Sequence, residues 1–63
     1  MQTQQLANNQ QALSHSITEI ARLKQQLVAH KGNPHMEKML RKHIKAHKSL
    51  CEVYTNAIIA CQQ

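Results

Sequence analysis

Apolar side chains recur every seven residues along the first half of the chain. The repeat consists of Leu6, Leu13, Ile20 and Leu27, and the apolar residues that widen it toward the midpoint are Ile17, Leu23 and Val28. Wound at the α-helical pitch, all of these positions except Leu23 fall within a stripe about 100° wide. The pattern predicts an amphipathic helix, in which Lys24 interrupts the stripe and extends its alkyl stem along the apolar surface, with its ammonium group in water.

The second half divides more cleanly into an apolar face and a basic face. At helical spacing, the apolar face carries Met36, Met39, Leu40, His43, Ile44, His47, Leu50, Cys51, Tyr54, Ile58 and Cys61. The opposite face carries Lys38, Arg41, Lys42, Lys45 and Lys48. This pattern predicts a second amphipathic helix.

The chain's only glycine and only proline stand between the two patterns, in the segment Lys31-Gly32-Asn33-Pro34. Gly32 is suited to end a helix in the left-handed conformation, because it has no Cβ. Asn33 can cap the next helix, and Pro34 fits its first position, where no backbone N–H is needed. A stop and a start this close together favour antiparallel helices. We therefore predict one all-α domain over residues 1–63, with a helix at about 3–30, a turn at 31–33 and a helix at about 34–61.

A lone hairpin of this kind cannot cover its own apolar residues. It is a single layer of helices, and small chains usually need a metal, disulfides or a second copy to form a stable core. The most apolar end of the second helix would also lie beside the polar start of the first. We therefore expect self-association as a dimeric four-helix bundle. The expected dimer core consists of Leu13, Ile17, Ile20, Leu27, Leu40, Ile44, Leu50, Tyr54 and Ile58.

The last part of the second helix changes character after Glu52, the final charged residue. Val53 and Ile59 lie on the back of a helix whose front already holds Tyr54 and Ile58. Apolar side chains on both sides indicate either deeper burial in the dimer or a docking patch for another protein. Both interpretations of Val53 and Ile59 are open at this stage.

The formal net charge of +5 is concentrated in the second half. Residues 1–30 carry a net +1, and residues 31–63 carry a net +4. The candidate phosphate contacts on the second helix are Lys38, Arg41, Lys42, Lys45 and Lys48. This row favours binding to nucleic acid or an acidic protein, or else it is an ordinary solvated face. Stacking platforms are absent, so shape-based binding to a duplex is the form of nucleic-acid binding that stays open.

His43, His47 and Cys51 are spaced four residues apart and could supply three ligands to a transition metal. Four-residue spacing also arises by chance, and the alternative is that both imidazoles pack at the seam between helices. We favour the packing interpretation and therefore predict no metal site and no cofactor.

Catalysis has no convincing residues. The three carboxylates are scattered along the chain, and a pair formed by Cys51 and His47 would have neither a substrate cleft nor an oxyanion hole. Cys51 and Cys61 lie about 15 Å apart on one helix, too far for a disulfide within the chain. The chain lacks the apolar run of a membrane span and the start of a signal peptide, so we expect a cytoplasmic protein. Because it has no convincing catalytic residues, we expect that it is not an enzyme.

The predicted architecture resembles the Rop family of plasmid copy-number regulators, in which two hairpins pair into a four-helix bundle that binds paired RNA loops. Rop is acidic, however, whereas this chain is basic. A second resemblance covers the whole chain, from Gln-Gln-Leu-Ala-Asn-Asn-Gln-Gln at residues 4–11 to the terminal Cys61-Gln62-Gln63. In length, composition and helical organisation it is similar to small early proteins from the exo–xis region of lambda-like bacteriophages. That resemblance implies a protein that biases infection towards lytic growth by interfering with host or phage regulators.

These observations together predict a non-enzymatic interaction protein that regulates host or phage development. Its expected partners are a second copy of the chain and an unidentified host or phage protein in the bacterial cytoplasm. The alternative is a Rop-like nucleic-acid-binding adaptor that uses the basic face of the second helix. Neither interpretation involves a membrane.

Overall fold

The computed structural model is a hairpin of two helices, and it describes the backbone of residues 2–62 and the side chains of residues 4–62. Helix α1 spans Gln2–Ala29, and helix α2 spans Pro34–Gln62. The two helices pack against each other in a shape of 47 × 14 × 12 Å, and the residues described contain no strand. The prediction of an all-helical hairpin is confirmed.

The turn ends α1 through a left-handed glycine. Gly32 has a φ of 97°, and it is the one residue of the described chain with a positive φ. On its N-terminal side, the His30 N–H donates to the Gln26 carbonyl at 2.9 Å and the Lys31 N–H to the Val28 carbonyl at 3.2 Å. The chain therefore stops being helical where a residue without Cβ makes the left-handed turn inexpensive.

The side chains of Asn33, just before α2, and Glu37, in its first turn, fix the start of α2. The Asn33 side-chain oxygen accepts the Met36 N–H at 3.3 Å, as expected of a capping residue one position before Pro34. Glu37 reaches back, and its Oε1 accepts the Gly32 N–H at 2.7 Å. This arrangement is a variant of the capping box and places a carboxylate at the positive end of the α2 dipole.

Replacing Gly32 with valine is expected to lower the free energy of unfolding by about 1 kcal/mol or more. A Cβ at this position would meet no atom within 4 Å, so the cost comes from the backbone conformation alone. Urea unfolding followed by circular dichroism measures the change. Gly32→Asn is the control and should lose less, because asparagine tolerates positive φ better than valine. Equal losses in the two variants would contradict this account of the turn.

The hydrophobic core lies in the half of the hairpin next to the turn. Its buried members are Leu23, Leu40 and Ile44, with relative exposures of 6%, 8% and 7%. Ile20 and Leu27 pack against this cluster and are partly buried. Leu23 was the apolar residue left outside the stripe in the sequence pattern. The face that α1 presents to α2 is therefore rotated from the centre of that stripe toward Leu23.

Farther from the turn, the seam between the helices becomes more polar. Ser16 is 3% exposed, and Asn9 and His47 are half-buried. The larger apolar residues of this half, Leu13 and Tyr54, are also only half-buried. The end of the hairpin away from the turn therefore contributes less buried apolar surface than the end beside it.

Candidate interaction surfaces

A groove runs between the two helices on one side of the hairpin and encloses about 350 Å³. Its lining consists of Lys24 and Leu27 from α1 together with Arg41, Ile44, Lys45 and Lys48 from α2. These six residues are called the basic groove below. Helical spacing explains the grouping, because positions three, four or seven apart share one side of a helix. Leu27 and Ile44 form an apolar floor, and the four cations stand around it.

The rim of the basic groove carries more positive side chains than nearby carboxylates can neutralise. Arg41 pairs with Glu37 at 3.6 Å, and that carboxylate also accepts the Gly32 N–H. The described residues hold one other salt bridge, between Arg22 and Glu19. Within residues 4–62, Lys24, Lys45 and Lys48 therefore have no carboxylate partner.

The structure brings together only part of the predicted phosphate-binding row. Arg41, Lys45 and Lys48 line the basic groove, whereas Lys38 and Lys42 are exposed elsewhere on α2. Lys24 was interpreted from the sequence only as an interruption of the α1 stripe. Its position beside the α2 cations depends on how the two helices pack against each other, which the sequence pattern of one helix does not contain. A lysine inside the apolar stripe of α1 was the signal that pointed to it.

Three of the four large apolar side chains that are exposed on the described part of α2 lie on the side away from the basic groove. Met39, Leu50 and Val53 have exposures of 43%, 41% and 59%. Spacings of 11 and 3 residues place them on one side of α2, and Lys45 lies on a different side of the same helix. We call these three residues the α2 apolar face.

The exposed apolar residues of α1 lie on the opposite side of the hairpin. Ile17 and Val28 are seven residues before and four residues after Lys24, so they share its side of α1. Their exposures are 55% and 75%. Ile17 and Leu50, both placed in the predicted dimer core, are therefore exposed on opposite faces of the single hairpin.

The predicted partner patch divides in a similar way. Val53 and Ile59 are exposed by 59% and 48%. Six residues are one and two-thirds helical turns, so the two side chains lie on different sides of α2. Val53 belongs to the α2 apolar face, and Ile59, five turns after Arg41, lies on the groove side. They do not form one continuous patch.

The candidate metal ligands do not form a site. His43 is exposed, while His47 and Cys51 are half-buried at the seam. Across the described part of the chain, no group of three or more His, Cys, Asp or Glu side chains is arranged to hold a metal ion. The Nδ1 atom of His47 is buried and has no hydrogen-bond partner among the described atoms. Cys51 and Cys61 are both free thiols.

A second depression, of about 390 Å³, lies on α1 alone and is lined by Asn8, Gln11, Ala12 and His15. Its lining comes from one helix and includes no cation pair, large apolar residue or carboxylate. It therefore offers much less for recognition than the basic groove, which both helices shape.

The Glu19–Arg22 pair on α1 is an acid-sensitive contact. Arg22 donates to Glu19 Oε2 from Nη2 at 2.8 Å and from Nε at 3.2 Å. This hydrogen bond, assisted by the positive charge of Arg22, holds the pKa of Glu19 below its ordinary value of 4.5. The unfolded chain therefore binds this proton more readily than the folded chain.

The contribution of Glu19 to stability should be fully present above pH 4.5 and lost as the pH falls through its lower folded-state pKa. Urea unfolding of the parent chain and Glu19→Gln, at about pH 6 and about pH 3, measures it. The difference between the two proteins should shrink at the acidic pH. Glu52→Gln is the control, since Glu52 makes no salt bridge in the described structure. A difference that is unchanged by acid would contradict the assignment.

Comparisons with protein-family models, with curated proteins and with solved structures give no match to this chain. Over the described residues, neither α1 nor α2 contains an apolar stretch long enough to span a bilayer. The fold and its surfaces therefore define the class of molecule: a two-helix hairpin with a basic groove on one side and an apolar helix face on the other.

Proposed function

We propose that this chain is a non-enzymatic interaction protein that works as a homodimer. One observation carries the proposal: the hairpin leaves too much surface uncovered for its mass. A compact monomer of 7.2 kDa exposes about 4,100 Å². The hairpin exposes 5033 Å², and within residues 4–62 six large apolar side chains are exposed. A second copy covers part of this surface and completes a four-helix bundle.

The α2 apolar face is the surface that fits a second copy. In a symmetric dimer the same patch meets itself, so a self-association surface must tolerate its own charges. Met39, Leu50 and Val53 are uncharged, and Lys42 at the edge of this face brings one cation per chain to the contact. The basic groove would set four cations against four, which is repulsive at close range. The dimer that we propose therefore packs α2 against the partner's α2 and leaves the basic groove open.

The regulatory role rests on the resemblance to small early phage proteins. We propose that the dimer acts in the cytoplasm of a bacterial host. There it engages a host or phage regulator and favours lytic growth. The dimer gives such an adaptor two copies of each exposed surface, and two linked sites raise the effective affinity for a paired target.

Expression of the chain in bacteria infected with a lambda-like temperate phage tests this role. The fraction of infected cells that lyse should rise relative to an empty vector. Val53→Lys, which disrupts the proposed dimer, should remove the effect, whereas Ile59→Lys is the control on the other side of α2. An unchanged lysis fraction at verified expression of the folded protein would contradict the proposal.

The alternative of a nucleic-acid-binding adaptor is favoured by one observation, the four cations gathered at the basic groove. Binding of an RNA duplex through these groups would release about one counterion per neutralised phosphate. The affinity for the duplex should then fall steeply as salt is added. Titration of a labelled duplex at two salt concentrations tests this, and an affinity independent of salt would contradict it.

A further inference from the structure

The basic groove combines two chemical features that usually serve different ligands. Its floor is apolar, formed by Leu27 and Ile44, and its rim holds Lys24, Lys45 and Lys48 without a carboxylate partner in the described chain. Glu52, one turn beyond Lys48, is exposed and forms no salt bridge within the described residues. A ligand that satisfies both features needs an apolar surface and negative charges beside it.

The shape of the groove suits a helix. Two packed helices leave a trough parallel to their axes, and a third helix can lie in such a trough at the usual interaxial distance of about 8–10 Å. Apolar residues at helical spacing on that third helix would reach Leu27 and Ile44. Ile17 and Val28 lie outside the groove lining but are exposed on the same side of α1 as Lys24, where a bound helix can reach them. Recognition of a helix in a groove is a common mode of peptide binding.

The charges at the rim distinguish a partner helix from two alternative occupants, a second copy of the chain and a nucleic-acid duplex. A second copy of the chain carries +5 and would bring its own cations to the rim. A duplex would satisfy the cations, but its phosphates would leave the apolar floor without a partner. Acidic residues on both sides of an apolar helical stripe match the rim and the floor together.

We infer that the basic groove binds an amphipathic α-helix of a partner protein, one whose apolar stripe is flanked by aspartate or glutamate. The inference rests on the proposed function as an interaction protein and names the chemical class of its partner. The partner helix lies along the trough, its apolar side chains on Leu27 and Ile44. Its carboxylates pair with Lys24 on one side and with Lys45 and Lys48 on the other.

A designed probe peptide tests the inference directly. It is a labelled helix of about five turns, with leucines at helical spacing and glutamates on both flanks. A second peptide keeps every glutamate and replaces the leucines with serine. Fluorescence anisotropy with the full chain should show the leucine peptide binding at least about tenfold tighter than the serine peptide. Equal binding of the two peptides, or tighter binding of an RNA duplex of similar length, would overturn the inference.

Charge reversals on the protein locate the binding surface. Lys24→Glu and Lys45→Glu should each weaken binding of the leucine peptide by roughly tenfold, because each replaces an attraction at the rim with a repulsion. Lys42→Glu changes the net charge equally but lies outside the groove, and it should retain nearly all of the affinity. Equal losses in all three variants would show attraction to net charge alone and would overturn the inference. Circular dichroism confirms that each variant keeps its helix content.

Sedimentation of the same samples separates this inference from the proposed homodimer. A dimer that fails to distinguish the two peptides overturns the groove assignment and leaves the self-association intact. A folded monomer that binds the leucine peptide selectively, and loses it with Lys24→Glu and Lys45→Glu, supports the groove assignment and overturns the homodimer.

Discussion

Replacing Ile44 with alanine is expected to remove a large part of the free energy of unfolding. Ile44 is 7% exposed and belongs to a core that, within residues 4–62, has two other buried apolar residues, Leu23 and Leu40. Truncation of a buried isoleucine to alanine costs about 2–5 kcal/mol, through lost burial and the cavity that remains. That loss is comparable with the whole stability of many small domains, which begins at about 5 kcal/mol. Urea unfolding at a fixed protein concentration measures it.

Two further alanine variants test where the core lies. Leu23→Ala should cost about as much as Ile44→Ala, because Leu23 is 6% exposed. Ile17→Ala is the control and should cost less than about 1 kcal/mol, since Ile17 is 55% exposed and on the side away from the α2 apolar face. If Ile17→Ala proves the more destabilising of the two, the centre of the sequence stripe is the true core and this orientation of α1 is wrong.

The combined substitution of Leu50→Lys and Val53→Lys is expected to convert the proposed dimer into monomers. Two ammonium groups per chain would be placed in an apolar interface, and a buried unpaired charge costs several kcal/mol. Because dissociation and unfolding of a small homodimer are coupled, helix content should fall with the sedimentation mass. Loss of the dimer should be visible at micromolar protein concentrations.

Ile59→Lys is the matched control for the double variant. Ile59 is similarly exposed, at 48%, but lies on the groove side of α2. It should remain dimeric. If Ile59→Lys dissociates the protein while the double variant stays dimeric, the interface lies on the groove side and the assignment of the α2 apolar face is wrong.

The sequence was sufficient to predict the hairpin because local chemistry determines it. Gly32, Asn33 and Pro34 each favour one backbone conformation, and the structure shows these preferences in the positive φ of Gly32 and the cap of Asn33. The additional hydrogen bond from the Gly32 N–H to Glu37 was not predicted. Its acceptor lies one position beyond the usual place in a capping box.

The orientation of α1 was harder to predict because a stripe describes one helix in isolation. The stripe treats Ile17 and Leu27 as equals, although α2 can cover only the residues that turn toward it. Ile17 and Leu23 are six residues apart and lie about 120° apart around α1, so one neighbouring helix cannot cover both. The basic groove depends on the same rotation, since Lys24 comes beside Lys45 only when α1 turns Leu23 inward. Pairwise packing, which a single-helix pattern does not contain, decides both features.

Sedimentation equilibrium of the parent chain, paired with circular dichroism over a dilution series, tests the central claim most directly. The account predicts twice the 7.2 kDa chain mass at micromolar concentration, with helix content falling as dilution dissociates the dimer. A fully helical species of 7.2 kDa, unchanged by dilution, would contradict the claim that a second copy completes the fold.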